Sequence, residues 1–350
     1  MATTSTLPAD NTHLSTFDRE DMIEDYASVV DTQIAKKSIM RKFVSMHSIM
    51  GTDTKTVRRM GSSTLQGIND AAAGQEMEAT PRNFDRAQVT VDTIVLARDA
   101  RNKLNELQTD FSARREIGVD HGKDIAKFFD SALLSMGVKT ALSNVTAGVA
   151  DGAIRGNQGR DLGDAFKSGY AKELLAAGDD EDPDALYAMF ESVIVDMQEN
   201  DVDTDETALF LRPRQHAVLL NNDKLIDRDF SSDNGDFADG TLKTLMGVPI
   251  VSTARLSDAN TDLSIMSDTV GSGVSAGPNY VPTAFELGCV GLVMHPDSLL
   301  GGETIPLTSN IHYNDLRLAW YIDSYLAFGA APRRPDLTGA VFQFNATVDP

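Results

Sequence analysis

The stretch DFSARREIGVDHGKDIAKFFDSALLSMG, residues 110–137, decides how the rest of the chain is interpreted. Its apolar and small residues recur at spacings of three, four and seven, and this periodicity places them on one face of a helix. Asp110 can accept hydrogen bonds from the first free amides, and Gly137 can close the last turn in a left-handed conformation. The stretch therefore predicts a helix over residues 111–136, about 39 Å long at about 1.5 Å per residue.

Two glycines inside this predicted helix, Gly118 and Gly122, need an explanation. Each costs about 1 kcal/mol of helix stability relative to alanine. Because a glycine allows a second backbone to approach closely, the simplest compensation is an element that crosses the helix at these positions. We expect the C-terminal sheet to be the crossing element.

The composition limits the classes of protein to which the chain can belong. At 350 residues there is room for about two domains, and a hydrophobic content of 41% is sufficient for a packed core. The formal net charge of −21 argues against binding of duplex DNA through its phosphates. The single cysteine, Cys289, excludes an internal disulfide framework. The sequence predicts neither a membrane-spanning helix nor a secretory signal.

The N-terminal third reads as an arm followed by a projecting hairpin. Residues 17–40 have the pattern of an amphipathic helix that could pack on its own domain or on a partner subunit. Residues 43–47 resemble a strand, and residues 55–61 and 88–96 resemble the two strands of a long hairpin. The polar connection between the hairpin strands is too long for an ordinary turn, so we expect it to reach another molecule.

The middle of the chain alternates helices and strands. Residues 162–177 and 184–200 are predicted helices, and Asp182-Pro183 before the second is typical of a cap followed by a first-turn proline. Residues 208–211 and 248–251 are predicted strands. This alternation predicts a small α/β unit between about residues 145 and 290.

The C-terminal third is predicted to be sheet. Residues 290–295 form one strand, and residues 303–307 and 316–328 form a hairpin with a polar tip at 308–315. In the second hairpin strand, apolar residues from Leu316 to Phe328 alternate with polar ones at a period of two, as in a half-buried strand.

Motifs for catalysis or metal binding are weak in this sequence. The segment GVSAG has the spacing of a nucleophile elbow around Ser275, but Ser, Gly, Pro and Asn flank it instead of a strand and a helix. The acidic segments 179–184 and 201–206 favour solvated loops over an adventitious cation site. In the second segment, Glu206 stands where a calcium loop has its glycine, and Arg212 stands where it has its bidentate glutamate. The histidines are scattered singly. We predict that the protein is not an enzyme and has no cofactor, catalytic residue or metal.

Three segments resemble the major capsid proteins of short-tailed podoviruses of the autographivirus type. DFSARREIGVDHGKDIAKFFDSALL (110–134) resembles the spine helix of that family. LKTLMGVPIVST (242–253) is similar to the strand entry of its axial domain. FELGCVGLVMHPDSLLGG (285–302) and YLAFGAAPRRPDLTGAVFQF (325–344) are similar to its closing sheet. The three matches occur in the family's order and at its spacing.

The resemblance implies an α+β fold, the major capsid fold of tailed phages and herpesviruses. Residues 1–50 would be the N-terminal arm and 52–96 the extended β-hairpin loop. Residues 97–144 and 290–345 would form the peripheral domain with the spine helix, and 145–289 the α/β axial domain.

The resemblance also implies a function and partners. The protein would be a structural component of the virion, assembled in the bacterial cytoplasm as hexamers and pentamers of an icosahedral shell. That shell would enclose double-stranded DNA without sequence-specific binding, and the acidic composition suits such a container. A scaffolding protein and a portal would assist assembly, a decoration protein could bind outside, and no membrane would be involved.

Candidate subunit-interface residues lie in the two hairpins. Arg58 and Arg59 are adjacent in the first strand of the projecting hairpin, so their side chains point to opposite faces. Only one of them can face its own chain, which leaves the other for an acidic patch on a neighbour. The competing interpretation is a solvated strand edge that charge protects from aggregation. The remaining candidates are Glu76, Glu78, Asn310 and Asn314.

Two alternative functions stay open at the sequence level. The same fold serves encapsulin compartments, which enclose enzymes, although the segment matches favour the phage family. A serine hydrolase that uses Ser275 is the alternative from a different class, and a fluorophosphonate probe would detect it.

Overall fold

The computed structural model describes eight ranges of the chain and divides it into two units. Unit 1 comprises residues 1–38, 94–127 and 305–327, and unit 2 comprises residues 39–93, 128–304 and 328–350. The described ranges are 28–34, 37–60, 84–102, 113–143, 169–226, 235–236, 239–266 and 280–344.

The helices include the long one that the sequence predicted. A second long helix begins where expected, because the Asp182 carboxylate accepts the backbone N–H of Asp184 at 3.0 Å and Pro183 occupies the first turn. The described helices are α1 (28–34), α2 (Met40–Phe43), α3 (Ala113–Ala141), α4 (Pro183–Glu199), α5 (Pro213–Leu219) and α6 (Asp223–Ile226).

The strands form two larger sheets and two hairpins. One sheet has the order β1-β12-β13-β4, the other has the order β5-β14-β11-β6-β10-β9, and β2-β3 and β7-β8 pair separately. The strands are β1 (Met46–Ser48), β2 (Thr54–Met60), β3 (Phe84–Thr90), β4 (Val95–Asn102), β5 (Tyr170–Glu173), β6 (Ala208–Leu211), β7 (Gly235–Asp236), β8 (Thr241–Leu242), β9 (Thr244–Leu245), β10 (Val248–Ser252), β11 (Cys289–Met294), β12 (Leu299–Asn314), β13 (Ala319–Pro332) and β14 (Thr338–Phe342).

Helix α3 does not end at residue 136, so the prediction that Gly137 caps it is wrong. The helix continues to Ala141, because Val138 and Ala141 are buried apolar residues that extend its packed face. Gly137 has a packing role instead. A Cβ atom there would lie 2.8 Å from Leu292 Cδ2 and 3.0 Å from Met294 Sδ, so the glycine makes room for side chains of β11. The predicted cap Asp110 lies outside the described residues.

The close approach predicted at the helix glycines exists at Gly122, but a different element makes it. A Cβ atom on Gly122 would lie 2.7 Å from Gln33 Cβ and 3.0 Å from the Val30 carbonyl oxygen, both in α1. The expectation that the C-terminal sheet crosses at Gly122 is therefore wrong, because α1 occupies this position. Gly118 is buried as well.

Contact between the C-terminal sheet and α3 occurs further along the helix, in unit 2. Phe328 of β13 lies with its ring centroid 4.7 Å from that of Phe129 and 6.4 Å from that of Phe128. Ring pairs at these distances stabilise a fold by more than the burial of their apolar surface alone.

The helix predicted over residues 17–40 is not one continuous helix in its described part. Val30 and Ile34 are buried, as the amphipathic pattern predicts, whereas the chain leaves the helical conformation at Ser38 and resumes it in α2. The strand predicted at residues 43–47 starts later, at Met46, because α2 occupies the chain through Phe43.

The six-stranded sheet forms the core of unit 2. β6 and β10 are parallel, as an α/β unit requires, and β11 pairs antiparallel with both β6 and β14. Helix α4 covers the sheet closely, since a Cβ atom on Gly291 would lie 2.5 Å from the Phe190 ring and one on Gly339 would lie 2.4 Å from Val193 Cγ1. The buried face of α4 consists of Leu186, Phe190, Val193, Ile194 and Met197.

The helix predicted over residues 162–177 is wrong in its described part. Residues 170–173 form β5, which pairs parallel with β14. Tertiary contacts override the local pattern, because Tyr170 and Ala171 are fully buried in the sheet. A Cβ atom on the preceding Gly169 would lie 2.4 Å from the Ala141 carbonyl oxygen, so the chain passes directly against the end of α3.

The C-terminal hairpin is longer than predicted, and its tip lies elsewhere. β12 continues to Asn314, and the turn comprises residues 315–318 instead of 308–315. Leu316 and Leu318, predicted to be strand residues, therefore belong to the turn. The alternation of apolar residues continues through the turn in the sequence, so periodicity alone misplaces the boundary.

The predicted hairpin is present in unit 2, with one strand revised. β2 and β3 pair antiparallel from Thr54↔Thr90 to Met60↔Phe84. The predicted second strand, 88–96, is wrong as a single strand, because β3 ends at Thr90 and the separate strand β4 starts at Val95. β4 pairs with β13 in unit 1.

Candidate assembly surfaces

The β2–β3 hairpin has one covered face and one exposed face. Ala87 and Val89 on the covered face are 4% and 0% exposed, which follows from the two-residue period of a strand. We call the opposite side the outer hairpin face. Its exposed members are Thr56, Arg58, Phe84, Arg86 and Gln88.

The outer hairpin face places two arginines directly opposite each other. Arg58 pairs in register with Arg86, and the neighbouring Arg59 pairs with Asp85. The opposed register therefore concentrates positive charge on the outer hairpin face. The structure thus assigns Arg58 to the exposed face and brings it beside Arg86, a residue that the sequence analysis did not select. The signal that could have found Arg86 is the hairpin register.

A buried carboxylate in α3 holds the start of α2. The Asp130 side chain has no exposed surface, and it accepts the backbone N–H of Ile39 at 2.9 Å and of Met40 at 3.2 Å. It also forms an ion pair with Arg255. Ile39, the N-cap residue of α2, provides no side-chain cap of its own. Asp130 supplies that cap from a distant part of the sequence.

The residues after Ile39 make further contacts in unit 2. Arg41 lies 3.4 Å from Glu303 Oε1, with its guanidinium 5.9 Å from the centre of the Phe129 ring. Phe43 packs edge-on against Phe210 at a centroid distance of 5.3 Å. These contacts fix residues 41–43, directly before β1, within unit 2.

The stem of the C-terminal hairpin, in unit 1, is a cross-strand ladder of rings. Tyr313 and Trp320 have ring centroids 5.1 Å apart, and His312 stacks on Tyr321 at 5.4 Å with an interplanar angle of 12°. Two residues after Tyr321 in β13, Asp323 accepts two hydrogen bonds from the Arg98 guanidinium at 2.7 and 2.8 Å. These hydrogen bonds raise the pKa of Arg98, which stays charged.

The two hairpin asparagines proposed as interface residues have different surroundings. Asn310 is exposed on β12. Asn314 is partly buried, and its side-chain oxygen accepts the backbone N–H of Leu316 at 3.0 Å. Asn314 therefore shapes the turn of its own hairpin. Glu76, Glu78 and Ser275 lie outside the described residues.

The first acidic segment is used for local structure. Asp179 accepts the backbone N–H of Ala176 at 2.8 Å, Asp180 accepts the Gln343 side-chain amide at 2.9 Å, and Glu181 forms an ion pair with Arg214. Asp182 caps α4, as described above. These contacts explain the run of acids as turn and cap chemistry.

The second acidic segment is a short turn. Asp203 accepts the backbone N–H of Asp205 at 3.0 Å, and Glu206 lies 3.7 Å from His295 Nε2. Asp201 has a φ of 57°, in the left-handed region that Asp tolerates better than most residues. Within the described ranges, His, Cys, Asp and Glu form no group of three or more that could hold a metal ion.

The lone cysteine is a core residue. Cys289 is fully buried at the start of β11, and burial raises the pKa of its thiol to about 12. The thiol therefore stays protonated at neutral pH, which removes the nucleophilic form. Among the described helices, none is long and apolar enough to cross a membrane.

Comparisons with known proteins identify the fold through solved structures. No protein-family model and no curated protein matches the chain. The mature capsid of bacteriophage PhiM1 is similar with a TM-score of 0.68 at 24% sequence identity, over 88% of this chain and 87% of that chain. The capsid of the cyanophage P-SCSP1u gives a TM-score of 0.68 at 16% identity over 87% of each chain. A structure from Mycobacterium phage Che8 gives 0.58 at 14% identity, over 87% of this chain and 90% of that chain.

These similarities extend over most of each chain, so they concern the whole fold and not one motif. The chain therefore has the mixed helix-and-sheet fold of the tailed-phage major capsid proteins.

Proposed function

We propose that this protein is a major capsid protein, a structural protein whose copies assemble into a closed phage shell. The observation that carries the proposal is the shared fold with phage capsid structures over 87–88% of this chain. A fold hosts many functions in general, so the proposal also draws on the surfaces. The β2–β3 hairpin packs one face on its own chain and leaves a charged outer face, which is suited to contact with another copy.

The finer proposal follows the resemblance of residues 110–134, 242–253 and 285–302 to autographivirus-type capsid proteins. The shell is icosahedral, is built of hexamers and pentamers, and encloses double-stranded DNA in the virion. A scaffolding protein and a portal take part in assembly in the bacterial cytoplasm, and a decoration protein could bind the outside. The net charge of −21 supports enclosure without tight binding of the DNA.

The domain assignment is part of the same proposal. Residues 1–50 act as the arm and 52–96 as the extended loop. Residues 97–144 and 290–345 act as the peripheral domain, and 145–289 act as the axial domain. The β2–β3 register and the length of α3 support the loop and the spine.

The direct test is assembly of the purified chain. Expressed with and without the scaffolding protein of its phage, the chain should give closed shells or capsomers in negative-stain micrographs and fast-sedimenting species in the analytical ultracentrifuge. A monodisperse monomer under both conditions would contradict the proposal. Shells that package enzymes instead of DNA would favour the encapsulin alternative.

A second test concerns how the outer hairpin face holds a neighbouring copy. Arg58→Glu combined with Arg86→Glu should leave the circular dichroism and the melting temperature of the chain unchanged while it prevents or misdirects shell formation. A single exposed ion pair contributes about 0–1 kcal/mol, but a closed shell repeats each contact many times.

The matched control changes the same number of charges elsewhere. Lys123 and Lys224 are exposed, and their double exchange to Glu lowers the formal charge by the same amount as the arginine exchange. Shells should form from this control. Normal shells from the arginine variant across salt concentrations would show that packing and backbone pairing hold the hairpin.

A further inference from the structure

A small cavity lies between helix α3 and the segment that leads into β11. Its volume is about 10 Å³, close to the room that one buried water molecule requires. Spacings of four and three place the α3 residues of its wall on one face of the helix. These residues are Ser131, Ser135 and Val138, and the opposite wall consists of Ser257, Asp258, Leu263, Pro282 and Glu286. All of them belong to unit 2.

Ser131 is the residue of this cavity that needs a partner. It is 3% exposed, and its Oγ atom has no hydrogen-bond partner among the described residues. The other hydroxyl on the same helix face differs, because Ser135 Oγ donates to the Tyr280 carbonyl oxygen at 2.7 Å. An unpaired buried hydroxyl lowers the folding stability. The Ser131 hydroxyl therefore indicates that the cavity holds a polar group.

The opposite wall of the cavity supplies hydrogen-bond acceptors. Glu286 Oε2 accepts the Lys139 ammonium group and the backbone N–H of Thr283, both at 2.8 Å. A carboxylate has about four acceptor positions, so Glu286 can accept further hydrogen bonds. The Ser135 hydroxyl has donated its proton to Tyr280 and keeps its capacity to accept. The cavity thus combines a donor at Ser131 with several acceptors.

This combination fits a water molecule better than an ion. An anion would meet the carboxylates of Asp258 and Glu286, and a metal cation would compete with the Lys139 ammonium group for Glu286. In the part of the chain that the structure describes, His, Cys, Asp and Glu also form no group of three that could hold a metal. A water molecule can accept from Ser131 and donate to two acceptors, which meets the two to four partners that a buried water needs.

We propose that this cavity is a binding site for one structural water molecule. The water accepts a hydrogen bond from Ser131 Oγ and donates to Glu286 and to Ser135. It connects α3 to the segment before β11 and completes the hydrogen bonding of the Ser131 hydroxyl. The site belongs to the fold of a single chain, so the inference does not depend on the proposed assembly into a shell.

The first experiment is a structure of the full-length chain, by crystallography or electron cryo-microscopy, at a resolution that shows ordered water. A single density peak is expected within hydrogen-bond distance of Ser131 Oγ and of Glu286 or Ser135. A cavity without density overturns the proposal. A peak at the shorter distances of metal–oxygen bonds, about 2.0–2.6 Å, identifies a cation and also overturns it.

The second experiment compares the melting temperature of Ser131→Ala with that of the native chain, because the presence and absence of the water predict opposite signs. With the water bound, the substitution removes one of its partners, and the melting temperature falls. Without the water, the substitution removes an unpaired hydroxyl and introduces a better helix former, so the melting temperature rises. A melting temperature equal to or above that of the native chain overturns the proposal.

The matched control is Ser298→Ala. Ser298 is 0% exposed, its Oγ atom likewise has no hydrogen-bond partner among the described residues, and it does not line this cavity. The melting temperature of this variant should not fall. An equal fall in both variants would show that the loss of any buried hydroxyl destabilises the chain, and it would overturn the assignment of the effect to the cavity.

Discussion

Helix α3 binds the N-terminal segment twice, and the two contacts work by different physics. In unit 1, Gly122 lets the backbone of α1 approach at Val30, and we call this the glycine contact. In unit 2, the buried Asp130 carboxylate accepts two backbone amides at the start of α2, and we call this the carboxylate contact.

The two contacts tolerate substitution differently. The glycine contact requires that residue 122 has no side chain, so any added Cβ disturbs it. The carboxylate contact depends on a charge in a buried place, and it is stable only while Arg255 and both amides remain partnered to it. Removal of one partner of a buried charge lowers the folding stability by more than moderate overpacking does.

The largest expected effect comes from breaking the carboxylate contact. Asp130→Ala leaves the Arg255 charge and the Ile39 and Met40 amides without their acceptor. Loss of one partner of a buried ion pair costs about 3–5 kcal/mol, so the melting temperature should fall by many degrees. Thermal unfolding followed by circular dichroism measures the shift.

A second substitution separates charge from shape at the carboxylate contact. Asp130→Leu combined with Arg255→Met removes both charges and should recover part of the lost stability, since apolar replacement of a buried pair is often tolerated. A melting temperature of Asp130→Ala equal to that of the native chain would contradict the assigned role.

A smaller effect is expected from filling the glycine contact. Gly122→Val places methyl groups against Gln33 Cβ and the Val30 carbonyl oxygen, which lie within 2.7 and 3.0 Å of the added Cβ. Because a backbone cannot yield as a side-chain end does, we expect a loss of about 1–3 kcal/mol despite the removal of a poor helix former. An unchanged melting temperature would show that α1 moves away at little cost.

The matched comparison within the same helix is Gly137→Ala. Its added Cβ meets Leu292 Cδ2 and Met294 Sδ, the far ends of flexible side chains that can shift. The gain of about 1 kcal/mol from better helix propensity offsets the crowding, so the stability should change little. Gly122→Ala should then be clearly less stable than Gly137→Ala in parallel melts, and equal values would remove the distinction between backbone and side-chain contacts.

Local signals explain what the sequence predicted correctly. Asp182-Pro183 located the start of α4, and the three-and-four spacing located α3, because caps and periodicity act within one element. The same logic located the β2–β3 hairpin, although it did not decide which of Arg58 and Arg59 is exposed. The glycine at residue 122 correctly indicated a close approach, since a helix rarely contains a glycine without a packing reason.

The features that the sequence did not predict depend on contacts between residues that are distant in the chain. Asp130 lies 91 residues from Ile39 and 125 residues from Arg255, so no local pattern marks it as a cap. The element that crosses Gly122 could not be chosen from the sequence for the same reason. Leu316 and Leu318 continue a strand alternation, and only the turn geometry shows that they form an exposed tip.

The smallest expected effect is a dependence of the stability on pH. It comes from His47, which lies in the same unit as the carboxylate contact. His47 lies in β1, four residues after the end of α2, and burial together with the charges of Lys55 and Arg333 lowers its pKa below the ordinary value. The folded chain therefore binds fewer protons than the unfolded chain near the ordinary histidine pKa of about 6.5. Stability is then fully present above that value and decreases as the pH falls through it, down to the lowered folded pKa. Melts between about pH 7.5 and 5.5 should show this decrease in the native chain and a smaller one in His47→Asn. Parallel pH profiles for the two chains would show that other groups carry the acid sensitivity.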